Sequence, residues 1–239
     1  MTRRRGQSDS AEVPRAAAHR LSLYLRRLDL VQAQGEAMIS SRELGSALGI
    51  TAAQVRKDLG YFGQFGFPGI GYKVSRLIRQ IRQILGSDRL WRVALIGIGK
   101  LGSALIQYKG FEKQGFRIVA LFDKDPRIVG REFPPGEVEP LASLREVVQR
   151  ERIRLAIIAV PAPEAQAVAD QLVEAGVEGL CNFAPIALNV PDTVAHVSID
   201  LAMQLEQLSY LVSLLKIQKA KTREAGGRPS VARARRPGP

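Results

Sequence analysis

An α/β fold, a doubly wound parallel sheet preceded by a small helical domain, is predicted by three observations. Residues 91–102 (WRVALIGIGKLG) run an apolar strand into G-x-G-x-x-G and then into a helical pattern. Strand-like and helix-like segments alternate from residue 91 to about 199, the order that packs helices on both faces of a parallel sheet. Residues 19–85 instead carry helical periodicity with repeated capping signals and no such alternation.

The glycine stretch carries the most chemistry. Gly97 suits a tight turn, Gly99 close approach of the backbone to a pyrophosphate, and Gly102 close packing of helix on strand. The following helix N-terminus, which includes Ile98, Lys100 and Leu101, offers N–H groups and a dipole that favour phosphate. Asp123 closes the next apolar run (RIVALFD), 21 residues after Gly102. A carboxylate there accepts from both ribose hydroxyls and repels a 2′-phosphate, so the expected cofactor is NADH/NAD. The bland alternative is a structural glycine turn; the strand before, the helix after and the acid in register weigh against it.

Length and composition narrow the class. With 239 residues and 46% hydrophobic content, the chain can bury one large core or two small ones. No run of 18 apolar residues is present, and the basic N-terminus has no apolar segment behind it, so neither a membrane span nor a secretory signal is expected. Cys181 is the single cysteine, which leaves no intrachain disulfide and makes a cytoplasmic protein the expectation. His19 and His196 have no ligand-spaced partner, so no metal site is expected.

The net charge of +12 is placed unevenly. Residues 1–20 carry five basic and two acidic side chains, 21–90 ten and five, 91–218 thirteen and fifteen, and 219–239 seven and one. The glycine-loop part is therefore near neutral, and the part before it is basic, as expected of a phosphate-backbone binder.

Taken in order, residues 1–18 and 219–239 read as disordered basic tails, rich in Arg, Gly, Pro, Ser and Ala without periodicity. A helix from His19 places Leu21, Tyr24, Leu25, Leu28 and Val31 on one stripe and stops at Gly35. Ser40 opens a capping box with Glu43 and a short helix that buries Leu44, Ala47 and Leu48; Gly49 makes the turn. Thr51 repeats the box with Gln54, and the next helix turns Ala52, Val55 and Leu59 inward and Gln54, Arg56 and Lys57 outward. Two short capped helices about a glycine turn predict a helix-turn-helix, whose second helix would enter the major groove of double-stranded DNA. Residues 61–72 (YFGQFGFPGIGY) are too glycine-rich for a helix and read as a hairpin wing or extended loop. There Gly69 and Gly71 are expected to bring backbone N–H groups against phosphates or into a minor groove; the alternative is an ordinary hairpin packing its aromatics on the domain core, and both readings are compatible. Val74, Leu77, Ile78, Ile81, Ile84 and Leu85 mark another amphipathic helix.

Expected domains are thus a winged helix-turn-helix at 19–88, a Rossmann-type doubly wound parallel sheet at 89–200, and a C-terminal helix at 201–218. Strands are expected at 91–96, 117–123, 154–160, 178–182 and 193–199, with helices from about 100, near 141–151 and at 163–175. Their carboxyl ends collect the glycine loop, Asp123, Val160 with Pro161, and Asn182, Phe183, Ala184 and Pro185. Leu201, Leu205, Leu208, Leu211, Val212 and Leu215 fall at helical spacing and need a partner surface. The helix either folds back on its own sheet or crosses to a second copy; an exchanged helix in a homodimer is the preferred reading.

Together, QVRKDLGYFG (54–63), GIGY (69–72), GIGKLGSALIQY (97–108), FDKDP (122–126), NFAP (182–185) and VSIDLAMQLEQLSYL (197–211) resemble the Rex family of redox-sensing transcriptional repressors. The resemblance spans roughly residues 19–217. It implies a homodimer that binds operator DNA when NADH is scarce and is released by NADH. By position it implies a DNA-facing set of Thr51, Gln54, Arg56, Lys57, Tyr61, Gly69, Gly71 and Tyr72. It implies a switch network of Arg26, Tyr108 and Asp200. Read without the resemblance, Asp200 is a helix cap, Tyr108 a core tyrosine and Arg26 a solvated residue. Lys100 stands where relatives often carry arginine, and Phe67 and Pro68 where they often carry a basic residue. An enzyme needs an acid or base beside the nicotinamide on a substrate domain, for which no segment is evident, so no catalytic residue is expected. The alternative is an NAD-dependent oxidoreductase or CoA-binding subunit with an N-terminal interaction domain.

Overall fold

The computed structural model describes residues 14–66 and 69–226. In chain order these form α1 (Arg15–Ala33), β1 (Met38–Ile39), α2 (Ser41–Ser46), α3 (Ala52–Gly60), β2 (Tyr72–Lys73), α4 (Val74–Ile84), β3 (Trp91–Ile96), α5 (Lys100–Gln107) and α6 (Gly110–Lys113). There follow β4 (Phe116–Asp123), β5 (Glu132–Phe133), β6 (Gly136–Pro140), a 3-10 turn (Leu141–Ser143), α7 (Leu144–Arg150), β7 (Leu155–Ile158), α8 (Ala162–Glu174), β8 (Gly179–Asn182), β9 (Ala195–Ser198) and α9 (Leu201–Gly226). The described residues divide into two compact units, one holding those up to Val93 with Gln107–Val119, the other Ala94–Ile106 with those from Ala120 onward.

In the first unit α1, α3 and α4 pack around one apolar core. Leu21, Tyr24 and Leu28 of α1 meet Leu44 of α2, Val55 and Leu59 of α3, and Leu77 and Ile81 of α4. Helices of six and nine residues are marginal alone. Burying Leu44, Val55 and Leu59, each worth about 1.5–3 kcal/mol, is what holds α2 and α3 in place.

The first helix begins at Arg15, not His19, so the last four residues of the tail expected over 1–18 are helical. Ala17 is fully buried, and a run of alanines behind Pro14 is strongly helix-forming. Phe67, Pro68 and residues 1–13 lie outside the described residues. Gly35, at φ +82°, ends α1, and Glu36 N donates back to Val31 O.

The capping box is complete on α2: Glu43 N donates to Ser40 Oγ (3.1 Å) and Ser40 N to Glu43 Oε2 (2.7 Å). These bonds hold the Glu43 carboxyl below its ordinary pKa. Ala47, expected inside, is exposed because α2 stops at Ser46 and Gly45 is the residue that packs inward. A Cβ on Gly45 would overlap the Ile50 carbonyl, which sets how tightly the turn closes.

Among the described residues of 61–72 no hairpin is formed, and the segment runs mainly as turn and loop, in keeping with the extended-loop alternative. Tyr72–Lys73 pairs antiparallel with Met38–Ile39, so the second strand comes from before α2. Two-residue strands without alternation leave no periodic signal. Phe65 and Tyr72 are buried in the core, as the packing alternative required.

The second unit contains most of the seven-stranded sheet, whose order is β5-β6-β4-β3-β7-β8-β9. Taking β3 as the first strand, β6-β4-β3-β7-β8-β9 is the 3-2-1-4-5-6 order of a Rossmann fold, with its topological switch point between β3 and β7. The pairs β4–β6, β7–β8 and β8–β9 are parallel. The β5–β6 hairpin, antiparallel at Glu132↔Glu137, is an addition that the sequence reading missed. In REFPPGEVEP the prolines and charges read as loop, and only Val138 is fully buried. Leu95, Ile96, Leu121, Phe122 and Ile158 form the buried centre of the sheet.

Past β9, α9 continues to Gly226, so helix replaces the first part of the tail expected at 219–239; residues 227–239 lie outside the described residues. The stretch KIQKAKTREA is polar but rich in helix formers, so it shows propensity without periodicity. Leu201 (67%), Leu205 (66%) and Leu215 (56%) remain exposed along α9.

Gly71, at φ +97°, tests the two-stranded sheet, since a Cβ there would lie 2.6 Å from Ile39 O. Gly71→Ala is expected to destabilise the N-terminal unit by more than about 1 kcal/mol, read as a lower midpoint in urea followed by tyrosine fluorescence. An unchanged midpoint would contradict the close packing of β1 on β2.

Candidate functional site

At the switch point, backbone from three strands converges on the glycine loop. Gly97 sits at φ +92°, donates to Phe122 O after leaving β3, and leaves 2.6 Å between a Cβ placed on it and Ala159 O. Ala159 N in turn donates to Ile96 O (2.8 Å). A side chain at Gly97 would therefore be strained in backbone and blocked by the chain that follows β7. A Cβ on Gly102 would overlap the Gly97 carbonyl, so this glycine seats α5 on the loop. Nothing lies within 4 Å of a Cβ on Gly99. The fold has no use of its own for a glycine there, and the open space lies at the start of α5, where the first N–H groups of a helix lack intrahelical acceptors.

Asp123 ends β4 and is held by the loop itself. Ile98 N donates to its Oδ2 (2.7 Å) and Asp125 N to its Oδ1 (2.9 Å). Each oxygen keeps a lone pair to accept a hydroxyl. An open cavity of about 210 Å³ is lined by Gly97, Gly99, Asp123, Val160 and Pro161 among the expected residues. It adds Lys124, Asp125, Ile128, Leu141 and Glu164, which the sequence reading did not assign to the site. Lys124 Nζ and Glu164 Oε1 pair at 2.7 Å across it. Glu164 carried a usable signal, being an acid in the first turn of the helix after Val160 and Pro161. The volume is below that of a pocket for a whole dinucleotide, and suits one part of it.

Other expected residues stand back from this cavity. Ile98 is buried, whereas Lys100 and Leu101 face solvent on α5. Asn182 is fully buried and turns the chain after β8, its amide donating to Ala184 O and Ile186 O and its carbonyl accepting from Ala184 N. Its polar atoms are spent on the loop of Phe183, Ala184 and Pro185. Burial raises the Cys181 thiol to about 11, which keeps it protonated and unreactive at neutral pH. Among the described residues, no three His, Cys, Asp or Glu side chains are placed to share a metal ion.

The helix-turn-helix face differs from expectation at Gln54. Gln54 N donates to Thr51 Oγ1 (3.1 Å), but the side chain does not close the box or point outward. Its Nε2 donates instead to Asp58 Oδ1 (2.7 Å), because Asp58 is a fully buried carboxylate that demands donors. Arg20 completes the set through Nε to Oδ2 (2.6 Å) and Nη2 to Oδ1 (2.7 Å), and Tyr24 through its hydroxyl to Oδ2 (2.7 Å). Burial pushes the Asp58 carboxyl up, and these hydrogen bonds with the Arg20 charge outweigh it and hold it below its usual range. Burial and the bond to Asp58 raise Tyr24, and the bond to Asp58 raises Arg20. The sequence reading missed Asp58, although an acid three residues after Val55 on an apolar stripe was the signal.

Arg56 and Lys57 are exposed on α3, with Arg56 Nη1 donating to Ser41 Oγ (3.0 Å). Tyr61 is partly exposed just beyond α3, and Gly69, at φ +78°, has open space about it. Tyr72 is buried with the core cluster, and this burial raises its phenol pKa. Of the expected switch residues, Arg26 is exposed on α1. Tyr108 is exposed and meets Phe111 edge-on at 5.0 Å. Asp200 accepts from Ala202 N (2.9 Å) and Met203 N (3.1 Å), which makes it the cap of α9.

A Rossmann-type sheet with an open glycine loop, joined to a helix-turn-helix unit, defines a class: dinucleotide-binding domains fused to DNA-binding ones. The comparisons agree in both halves. Residues 88–186 match the CoA binding domain profile, and residues 12–60 the profile for a DNA-binding protein N-terminus (Put_DNA-bind_N). The chain is 46% identical over 199 residues to a redox-sensing transcriptional repressor Rex of Carboxydothermus hydrogenoformans, covering 83% of this chain and 96% of that one. It is 44% identical to the Rex of Chloroflexus aurantiacus, covering 84% and 94%. A crystal structure of RSP with β-NAD+ and operator DNA superposes with a TM-score of 0.81 at 37% identity over 89% of this chain and 98% of that one; RSP with β-NADH gives 0.80 at 36% over 88% and 99%. The chain belongs to the Rex family of redox-sensing transcriptional repressors.

The three glycines separate fold from ligand. Gly99→Val is expected to leave thermal stability within about 0.5 kcal/mol of the parent and to abolish NADH binding by calorimetry. Gly97→Ala is expected to lower the melting temperature instead. Retained NADH affinity in Gly99→Val would contradict the placement of the cofactor.

Proposed function

We propose that this chain is a homodimeric repressor that holds operator DNA when NADH is scarce and lets go when NADH binds. The observation that carries the reading is the open space over Gly99 at the switch point, in a chain whose other unit presents Arg56 and Lys57 on a helix-turn-helix. Gly97, Gly99, Asp123, Val160 and Pro161 would hold the dinucleotide. The Asp123 carboxylate accepts ribose hydroxyls there, and its charge opposes a phosphate on the ribose. This favours NAD(H) over NADP(H), and over CoA, despite the CoA binding domain match.

Linkage supplies the mechanism. If NADH favours one arrangement of the dimer and DNA the other, each weakens the other by the same factor. A hundredfold loss of operator affinity requires about 2.7 kcal/mol of discrimination by NADH. The reduced nicotinamide is neutral and the oxidised ring cationic, so an apolar setting for the ring penalises NAD+ by desolvation. The exposed leucines of α9 are the surface we assign to the second copy, with the helix exchanged between protomers. Arg26, Tyr108 and Asp200 form the switch in this reading, which is non-enzymatic and cytoplasmic.

Titrating operator binding against NADH and NAD+ separately tests it: release by NADH at concentrations where NAD+ leaves the complex intact is expected. Arg56→Ala with Lys57→Ala is expected to weaken DNA binding and to reduce the slope of log affinity on log salt by about 2, with NADH affinity unchanged. Consumption of NADH with small carbonyl compounds and no mobility shift of DNA would favour an oxidoreductase instead.

A further inference from the structure

The recognition helix is gripped from behind by one residue of its own. Asp58 lies on α3 with its carboxylate fully buried, and its two oxygens take four donors: Nε and Nη2 of Arg20, the hydroxyl of Tyr24 and Nε2 of Gln54. Arg20 and Tyr24 are one helical turn apart on α1, so a single stripe of that helix holds α3. The fork of Arg20 fixes the carboxylate plane as well as its distance.

A buried ion pair is a poor way to gain stability, because desolvation offsets most of the attraction and an apolar pair of similar volume commonly serves as well. The neighbours Leu21, Val55 and Leu59 already supply apolar contact here. What the network adds is direction. An apolar α3 would be free to roll on α1 by a fraction of a turn, whereas four hydrogen bonds converging on one carboxylate permit one angle.

The second consequence concerns Gln54. On a recognition helix, glutamine reads adenine by using its amide N and O together. Here one of the two amide N–H groups is held by Asp58, which turns the amide back toward α1, and Gln54 is half-buried, whereas Ala53, Arg56, Lys57 and Gly60 face out. The outward set is therefore small and basic, and its aim depends on how α3 is rotated.

We propose that Asp58 is a positioning residue for operator recognition: held by Arg20 and Tyr24, it fixes the rotation of α3 and keeps Gln54 away from the bases. Arg26 lies on the same helix as Arg20, so a displacement of α1 at that residue is passed to α3 through Asp58 rather than absorbed between the helices. The inference rests on the reading of the chain as an operator-binding repressor.

The test uses the full chain, a duplex selected by it from a random library, and a scrambled duplex of the same composition, with affinities from fluorescence anisotropy at one salt concentration. Asp58→Asn is expected to lose tenfold or more on the selected duplex and less than twofold on the scrambled one, with NADH affinity unchanged. Tyr24→Phe keeps the ring in the core and removes one donor; a loss of two- to fivefold, again confined to the selected duplex, is expected. Gln54→Ala is expected to select the same consensus. Equal losses on both duplexes for Tyr24→Phe, no loss for either variant, or a changed base preference in Gln54→Ala would overturn the proposal. If the parent chain enriches no duplex at all, it is the repressor reading that fails, and this inference falls with it.

Discussion

The hydrogen bond from Ile98 N to the Asp123 carboxylate is the constraint on which the site depends. It ties the loop leaving β3 to the end of β4, while Gly97 presses against Ala159 beyond β7. Three neighbouring strands thus deliver their carboxyl ends to one place, and a glycine with no neighbour of its own stands over it. Strand order explains why this occurs here: β3 is where the direction of winding reverses, so flanking loops part and leave a crevice.

The N-terminal unit obeys a different constraint. Helices α2 and α3 are too short to persist alone, and the burial of α3 is supplemented by a carboxylate that four donors share. Apolar contact supplies most of the attraction, and the polar cluster supplies the angle. Basic side chains at Arg56 and Lys57 then face outward on a helix whose orientation is set from within, in a segment carrying ten basic and five acidic residues between 21 and 90. Charge attracts a phosphate backbone without regard to sequence, and the pose of the helix is what can make the contact selective.

Much of this was legible in the residues. G-x-G-x-x-G after an apolar strand gave the loop, the acid closing the next strand gave Asp123, and Ser40 with Glu43 gave the start of α2 together with both of its bonds. What escaped has a common physical cause: pairing that leaves no period. The strands at Met38–Ile39 and Tyr72–Lys73 are too short to alternate, and the β5–β6 hairpin buries Val138 amid charges and prolines. Gln54 was misplaced because a capping pattern and a buried acid compete for one amide, and the sequence does not say which acceptor is desolvated. The ends of α1 and α9 were cut short because composition there resembles a tail, whereas alanine and charged helix formers extend the helix.

The central claim is that the dinucleotide crevice and the recognition helices share one equilibrium, and reciprocity exposes it most directly. NADH titrated calorimetrically into the protein, alone and in the presence of saturating operator duplex, should bind more weakly to the complex by the same factor that NADH weakens the duplex. An NADH affinity indifferent to the presence of operator would contradict the account.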